Sequence, residues 1–171
     1  MPQERSGIIT FKGGPLTLIG PELRVGDKAP DFTVLATDLT PLTLRQTSGR
    51  PRLIASVPSL DTGVCDAEAR RFNEEAAKLP GVSVMVISMD LPFAQARWCG
   101  NAGIERVKTY SDHRDASFGT AFGVLIKELR LLARAVFVLD ANDSIRYVQI
   151  VPEVTDHPDY DRALAAARQL A

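Results

Sequence analysis

Two apolar segments separated by an amphipathic stretch constrain the fold of this chain more than any other feature. Residues 53–57 and 82–88 are rich in Val, Ile and Leu and have Pro or Gly at a boundary, as buried strands often do. The apolar side chains between them recur at alternating steps of four and three residues, at Cys65, Ala69, Phe72, Ala76 and Leu79. This spacing predicts a helix over about residues 62–79. Strand, helix and strand in this order predict a βαβ unit with a parallel pair of strands.

The remaining segments predict further strands and helices around this unit. A β-hairpin is expected over about residues 8–19, because Gly13-Gly14-Pro15 separates two apolar runs. A second hairpin is expected where residues 134–139 and 145–151 flank a polar turn. Short strands are expected at 31–35, 42–44 and 107–111, and further helices at 92–100, 116–122 and 158–170. The predicted fold class is therefore α/β, with a mixed central sheet flanked by helices and an N-terminal β-hairpin.

Polar residues set the expected boundaries and the solvent face of these helices. Asp90 is a candidate cap for the second helix, which begins at Pro92, and Gly100 is expected to end it. The charged side chains of the first helix are expected on its solvent face: Glu68, Arg70, Arg71, Glu74 and Glu75.

Length and composition exclude several classes of protein. A chain of 171 residues predicts one domain, residues 1–171. With 20 basic and 21 acidic residues the net charge is −1, so the chain lacks the excess of positive charge that binds nucleic acid or an anionic membrane. No apolar run approaches the roughly 18–20 residues that cross a bilayer, and residues 1–7 lack a signal-peptide core. We therefore expect a cytoplasmic protein without nucleic-acid or membrane partners.

The chain has two cysteines, which are too few for a disulfide-rich secreted scaffold. A zinc site is not expected, because there is no Cys-x-x-Cys and the two histidines, His113 and His157, are far apart. In a reducing compartment such cysteines are more often reactive or inert than permanently cross-linked.

Cys65 falls in the first turn of the first predicted helix. The N–H groups of a first turn have no partner within the helix and the helix dipole is positive there, so a thiolate at this position is stabilised. Thr62 precedes the helix, where its hydroxyl can cap the first turn or lie near the sulfur. From position alone, a reactive Cys65 and an inert buried Cys65 remain equally open.

The string from Pro58 to Cys65, Pro-Ser-Leu-Asp-Thr-Gly-Val-Cys, resembles the Pro-x-x-x-Thr-x-x-Cys motif of the peroxiredoxin family. It is most similar to the bacterial thiol peroxidase branch, an atypical two-cysteine type. Residues 11–15 resemble the N-terminal hairpin of that branch, residues 88–95 and 97–100 its resolving-cysteine helix, and residues 133–136 the strand with its active-site arginine. The resemblance covers nearly the whole chain and implies a thioredoxin-like fold and reduction of hydroperoxides, with no metal, haem or flavin.

The resemblance implies roles for five residues. Cys65 would be the peroxidatic cysteine, whose thiolate attacks the peroxide and becomes a sulfenic acid, and Cys99 would resolve it as a disulfide. Thr62 would hydrogen-bond the thiolate or the peroxide, Arg134 would stabilise the developing charge, and Pro58 would shield the sulfenic acid from solvent. The family also implies a hydroperoxide substrate, thioredoxin as the reductant and a homodimer.

Cys65 and Cys99 fall on successive predicted helices, whereas a disulfide needs Cα atoms within about 7 Å. We expect the reduced form to hold the sulfurs apart, and local unwinding at the helix ends to bring them together. The sequence departs from the family at residues 127–132, which lack the glycines expected before Arg134. Substrate preference and reductant docking are therefore harder to predict than the core chemistry.

Several alternatives remain open at this point. A thiol–disulfide oxidoreductase on the same fold is disfavoured by the absence of Cys-x-x-Cys. A redox-sensing module could form the same disulfide without efficient peroxide turnover. A structural disulfide would close a loop of about 35 residues and stabilise the protein by roughly 4 kcal/mol. Without the resemblance, Thr62 would be expected only as an N-cap and Arg134 as a solvated strand residue.

Overall fold

The βαβ unit predicted from the sequence lies at the centre of the computed structural model, which describes residues 2–171 and confirms the α/β class. The strands are β1 (Glu4–Phe11), β2 (Gly14–Ile19), β3 (Thr33–Leu35), β4 (Pro41–Thr43), β5 (Arg52–Ser56), β6 (Ser83–Ser88), β7 (Lys108–Ser111), β8 (Leu125–Ile126), β9 (Leu131–Leu132), β10 (Ala135–Leu139) and β11 (Ile145–Ile150). The helices are α1 (Gly63–Ala76), α2 (Pro92–Ala102), α3 (Ser117–Ala121) and α4 (Tyr160–Leu170), with a short 3-10 helix at Arg45–Thr47. Over residues 2–171, every helix is too short or too polar to cross a membrane.

Seven strands form a mixed sheet in the order β11-β10-β5-β6-β7-β3-β4. β5, β6 and β7 are parallel, and β10 pairs antiparallel with β5. Alternate residues of β5 enter two hydrophobic cores. Ile54 packs into the core that contains α3 and the N-terminal hairpin, whereas Leu53 and Ala55 pack into the core that contains α1 and α4. Because both faces of β5 are covered, its three central residues are all apolar instead of alternating with polar ones.

The N-terminal hairpin belongs to a second sheet, of four strands in the order β1-β2-β8-β9. Sequence analysis did not predict β8 and β9, because strands of two residues show no periodicity. The turn between them lies in the segment that departs from the family pattern, and Arg130 there takes a positive φ of 54°. Glu128 accepts a hydrogen bond from the Thr17 backbone N–H at 3.0 Å, and Lys127 pairs with Glu4 at 2.8 Å. The segment therefore extends the hairpin sheet.

The predicted start of α2 at Pro92 is confirmed, but its predicted end at Gly100 and its predicted cap were wrong. The helix continues through Gly100 to Ala102 and is followed by Gly103 in the left-handed conformation, with a φ of 68°. A glycine inside a helix costs only about 1 kcal/mol, so the local pattern could not decide between two glycines so close together. Asp90 does not cap α2, since its carboxylate accepts hydrogen bonds from the loop that precedes α1 instead.

The hairpin is tied to the segment that follows β11. Val154 N–H donates to the Thr10 carbonyl at 2.9 Å. The Glu153 carboxylate accepts from the Thr10 hydroxyl at 2.9 Å and from Gly13 N–H at 3.0 Å. Hydrogen bonds from Thr155, followed by those from the hairpin, lower the pKa of Glu153 to about 2. The hairpin therefore fixes the position of Val154, whose carbonyl enters the site described below.

Gly123 lies against the start of the hairpin sheet, where a side chain has no room. It has a φ of 69°, and a Cβ there would collide with the Pro21 carbonyl and the Arg5 guanidinium. Gly123→Ala should lower the free energy of unfolding by about 3 kcal/mol, because backbone strain and steric overlap combine. Gly7 has a φ of 75° but open space around it, so the matched control Gly7→Ala should cost only about 1 kcal/mol. Urea denaturation of both variants checks this, and equal losses would contradict the steric explanation.

Candidate active site

The candidate site lies in the loop between β5 and α1 and in the first turn of α1. Thr62 is the N-cap of α1, as its Oγ1 accepts a hydrogen bond from Cys65 N–H at 3.3 Å. The same hydroxyl donates to the Ser59 carbonyl at 3.3 Å. Cys65 is in the first turn of α1 and is fully buried, and Pro58 is buried in the turn before it. The sulfur therefore lies near the positive end of a helix, where water screens charge poorly.

Arg134 directly precedes β10, the antiparallel neighbour of β5, and this pairing brings it to Cys65. Its Nη1 lies 3.2 Å from Cys65 Sγ and 2.8 Å from Glu68 Oε2, and its Nε donates to the Val154 carbonyl at 3.0 Å. Only 2% of the Arg134 side chain is exposed. Burial alone would lower the pKa of Arg134, but the attraction of Cys65 and Glu68 raises it. Arg134 is thus a buried cation in contact with the sulfur, not a solvated strand residue.

Glu68 is a member of the site that sequence analysis placed wrongly. It was expected on the solvent face of α1, together with Glu75, yet both are buried and Glu68 is 0% exposed. Glu68 follows Cys65 by three positions, so the two side chains share one helix face, and this spacing was the available signal. Burial raises the pKa of Glu68 to about 7, although Arg134 acts in the opposite direction. Its Oε1 has no hydrogen-bond partner among residues 2–171.

One buried cation thus faces two groups that can carry a negative charge. A buried cluster is least costly when its net charge is near zero. With Cys65 as a thiolate, neutrality requires Glu68 to hold a proton. With Cys65 as a thiol, Glu68 can ionise and pair with Arg134. The raised pKa of Glu68 places its own proton uptake near neutral pH, so this side chain can change its charge there.

The structure does not bring Cys99 to Cys65. Both cysteines are free, and Cys99 lies half-buried in the last turn of α2. Its Sγ is 3.5 Å from the Thr109 hydroxyl on β7, whereas the contacts of Cys65 are with Arg134 and Thr62. This arrangement agrees with the expectation that the reduced form holds the sulfurs apart.

Polar contacts connect both ends of α2 to the surroundings of Cys65. Before the helix, the Asp90 carboxylate accepts from Ser59 Oγ at 2.7 Å and from Leu60 N–H at 2.8 Å. Near the end of the helix, Trp98 Nε1 donates to Asp66 Oδ1 at 2.8 Å. A cavity of about 320 Å³ lies between these contacts. Local sequence patterns could not reveal either contact, because the partners are more than 29 positions apart.

The arrangement is suited to nucleophilic chemistry at sulfur. A thiolate at a helix N-terminus beside a fixed guanidinium can attack an electrophilic atom. The same guanidinium can stabilise charge that develops on a leaving oxygen. Over residues 2–171, no group of three or more His, Cys, Asp or Glu side chains could hold a metal ion.

The chain is similar in sequence to known proteins over most of its length. The Redoxin family matches residues 24–164. A thiol peroxidase of Halalkalibacterium halodurans is 65% identical over 160 residues, which are 94% of this chain and 96% of that protein. A thiol peroxidase of Bacillus subtilis is 62% identical over 162 residues, 95% of this chain and 97% of that protein.

Solved structures show the same fold. A peroxiredoxin-like protein from Aquifex aeolicus superposes with a TM-score of 0.90 at 42% identity, over 98% of both chains. A thiol peroxidase from Chromobacterium violaceum has a TM-score of 0.85 at 23% identity, over 94% of this chain and 95% of that one. These likenesses confirm the thioredoxin-like fold that the sequence motifs implied.

The raised pKa of Glu68 predicts a pH dependence of stability. Its ordinary value of 4.5 applies to the unfolded chain, and the folded value is about 7, so the folded state binds the proton more tightly. The contribution of Glu68 to stability should therefore be largest below pH 4.5 and fall as pH rises through about 7. Urea denaturation at a series of pH values should show this fall in the wild type and a flatter profile in Glu68→Gln. Burial also raises the pKa of Asp112, to about 6, so only the difference between the two proteins isolates Glu68. Parallel profiles would contradict the assignment.

Proposed function

The chain belongs to the Redoxin family and is a thiol-dependent peroxidase of the peroxiredoxin type, and we propose that Cys65 is its peroxidatic cysteine and Cys99 its resolving cysteine. The contact between Arg134 Nη1 and Cys65 Sγ carries this proposal. It joins a fixed cation to a thiol that sits at a helix N-terminus, which is the environment a reactive thiolate needs. Cys99 lacks a cationic partner of this kind among the described contacts, and a resolving thiol does not require one.

In the first step, the Cys65 thiolate attacks the distal oxygen of a hydroperoxide. The S–O bond forms as the O–O bond breaks, and the leaving oxygen departs as hydroxide or alkoxide and takes up a proton to give water or an alcohol. Arg134 stabilises the negative charge first on sulfur and then on the leaving oxygen. Thr62 holds the first turn of α1 in place through Cys65 N–H, and its hydroxyl would turn from the Ser59 carbonyl to hydrogen-bond the peroxide. Pro58 shields the sulfenic acid that results.

Glu68 supports this step through Arg134. Its Oε2 bonds the same Nη1 that contacts the sulfur, and the Val154 carbonyl fixes Nε. The guanidinium is therefore held in one orientation before substrate arrives. When Cys65 loses its proton, a protonated Glu68 keeps the buried cluster close to neutral.

In the second step, the Cys99 thiol attacks the sulfur of the Cys65 sulfenic acid. A disulfide forms and the sulfenic oxygen leaves as water. An external dithiol must then reduce the disulfide, and thioredoxin is the reductant that we propose. The enzyme would act in the cytoplasm, where thiols are kept reduced. We also propose a homodimer, for which the exposed Leu91 and Phe93 at the start of α2 supply apolar surface.

The division of roles predicts different results for the two cysteine variants. Fully reduced wild-type protein mixed with one equivalent of hydrogen peroxide should lose two thiols per chain and gain an intramolecular disulfide. Cys65→Ser should lose no thiol at a comparable rate, and Cys99→Ser should lose one, as a sulfenic acid that dimedone traps. Stopped-flow mixing followed by a thiol count and mass spectrometry measures all three. Rapid thiol loss in Cys65→Ser would overturn the assignment, as would full steady-state turnover of Cys99→Ser with thioredoxin.

Arg134→Lys keeps the positive charge but should slow the first step by about 100-fold, the usual cost of losing one preorganised donor. An ammonium group cannot bond Cys65, Glu68 and the Val154 carbonyl together in the fixed geometry of a guanidinium. The rate of sulfenic acid formation in a Cys99→Ser background measures the effect. Arg52 is also fully buried but pairs with Asp143 at 2.6 Å, so Arg52→Lys is the matched control. It should lower stability and leave the rate unchanged, and equal slowing in both variants would show that Arg134 acts only structurally.

A further inference from the structure

The two helices that carry the cysteines are attached to the protein to different degrees. α1 buries six residues, including Cys65 and Phe72, whereas α2 buries only Pro92 and Gln95. Trp98, near the end of α2, packs only partly buried against the core that contains α1. Moving α2 therefore exposes little new apolar surface, while moving α1 would open a hydrophobic core. We therefore expect Cys99, and not Cys65, to move when the disulfide forms.

The N-terminal end of α2 is firmly anchored. Besides its bonds to Ser59 and Leu60, the Asp90 carboxylate accepts from Ser88 Oγ at 2.7 Å. Gln95 Nε2, one turn into the helix, donates to Ser88 Oγ at 2.9 Å. These bonds join the start of α2 to the end of β6, so this end is the fixed point for any movement of the helix.

The shortest side-chain hydrogen bond at the other end of α2 lies next to both cysteines, whereas the contacts of Cys99 with Thr109 and of Arg70 with the Ala102 carbonyl are longer, at 3.5 and 3.4 Å. Trp98, the residue before Cys99, donates through Nε1 to Oδ1 of Asp66, the residue after Cys65. Arg70 orients the acceptor, since its Nε bonds Asp66 Oδ2 at 2.8 Å. The hydrogen bond from Arg70 lowers the pKa of Asp66, so the acceptor is a charged carboxylate at neutral pH. Such charge-assisted bonds are stronger than neutral ones.

The same end of α2 has a weak point in its backbone. Gly100 follows Cys99 inside the helix and has no positive φ to require a glycine. A Cβ at this position would meet no atom within 4 Å. The last turn of α2 is therefore less stable with Gly100 than it would be with an alanine, for which there is room.

We propose that the Trp98–Asp66 hydrogen bond is a latch that holds the last turns of α2 in the helical position, and that its opening sets the rate at which Cys99 reaches the Cys65 sulfenic acid. This inference rests on the proposed roles of the two cysteines. Trp98 and Asp66 are positioning residues in it, because they act on the second step through Cys99. A closed latch prolongs the lifetime of the sulfenic acid. A second hydroperoxide can then transfer an oxygen to it, giving a sulfinic acid and one more molecule of water or alcohol.

Removal of the latch should accelerate the second step. Trp98→Phe keeps an aromatic ring but removes the N–H donor, so disulfide formation should become about ten-fold faster. Less sulfinic acid should accumulate at high hydroperoxide, and the rate of sulfenic acid formation should not change. Rapid-quench mass spectrometry separates the two steps. Asp66→Ala should have a similar effect, and Asp66→Ala/Trp98→Phe should be no faster than either single variant, because all three lack the same bond.

Strengthening the last turn should have the opposite effect. Gly100→Ala should slow disulfide formation by about five-fold, because alanine stabilises a helix relative to glycine and unwinding becomes rarer by the corresponding factor. The yield of sulfinic acid should increase. Gly81→Ala is the matched control, because Gly81 also has open space around it but lies between α1 and β6. Circular dichroism and thermal unfolding establish that every variant is folded.

The outcomes separate the latch from the roles of the cysteines. If the wild type forms no Cys65–Cys99 disulfide with hydrogen peroxide, the proposed function fails. If it does, and Trp98→Phe is unchanged or slower in the second step, the latch is overturned. Strictly additive effects of Asp66→Ala and Trp98→Phe, or an unchanged rate in Gly100→Ala, would overturn it as well.

Discussion

A guanidinium ion buried beside a sulfur atom is the constraint on which the rest of the structure depends. A charge inside a protein costs several kcal/mol unless partners around it compensate. The partners of Arg134 come from separate parts of the chain, namely Cys65 and Glu68 on α1 and the Val154 carbonyl after β11. The parallel crossover from β5 to β6 places α1, the antiparallel pairing of β10 with β5 places Arg134, and the N-terminal hairpin holds Val154. Each of these elements therefore helps to position Arg134 or one of its partners.

A site residue could be placed from the sequence when its position depended on neighbouring residues, and not when it depended on contacts with distant parts of the chain. The start of α1 at Thr62 and Cys65 was predicted from a strand, a turn and a helix start within a few residues, but the roles of both residues were implied only by the family resemblance. Glu68 was misplaced because a glutamate on an amphipathic helix is normally solvated, and its burial depends on Arg134, which lies 66 positions away. Arg134 itself was found only through the family resemblance, since an arginine before an apolar strand is normally solvated too. For Glu68 and Arg134 the deciding interaction lay in the tertiary structure.

The same reasoning explains the errors in the fold. The central strands and α1 were predicted because buried apolar runs and helical periodicity are strong signals. The end of α2 was wrong because Gly100 and Gly103 are equally plausible stops, and only Gly103 takes a left-handed φ. The pair β8 and β9 exists because β2 offers an edge to it, which no pattern inside residues 125–132 records. Asp90 resembled a helix cap in sequence, but Ser59 and Leu60 recruit its carboxylate instead.

The bond between Val154 and Thr10 has a consequence for the newly synthesised chain. Thr10 is translated about 140 residues before its backbone partners in the segment 152–154. Arg134 also needs that segment, because the Val154 carbonyl fixes its Nε. Chain closure across such a distance comes late in folding, after the local helices have formed. A nascent chain therefore carries Cys65 without its oriented cation until the segment 152–154 has been made and has closed against the hairpin.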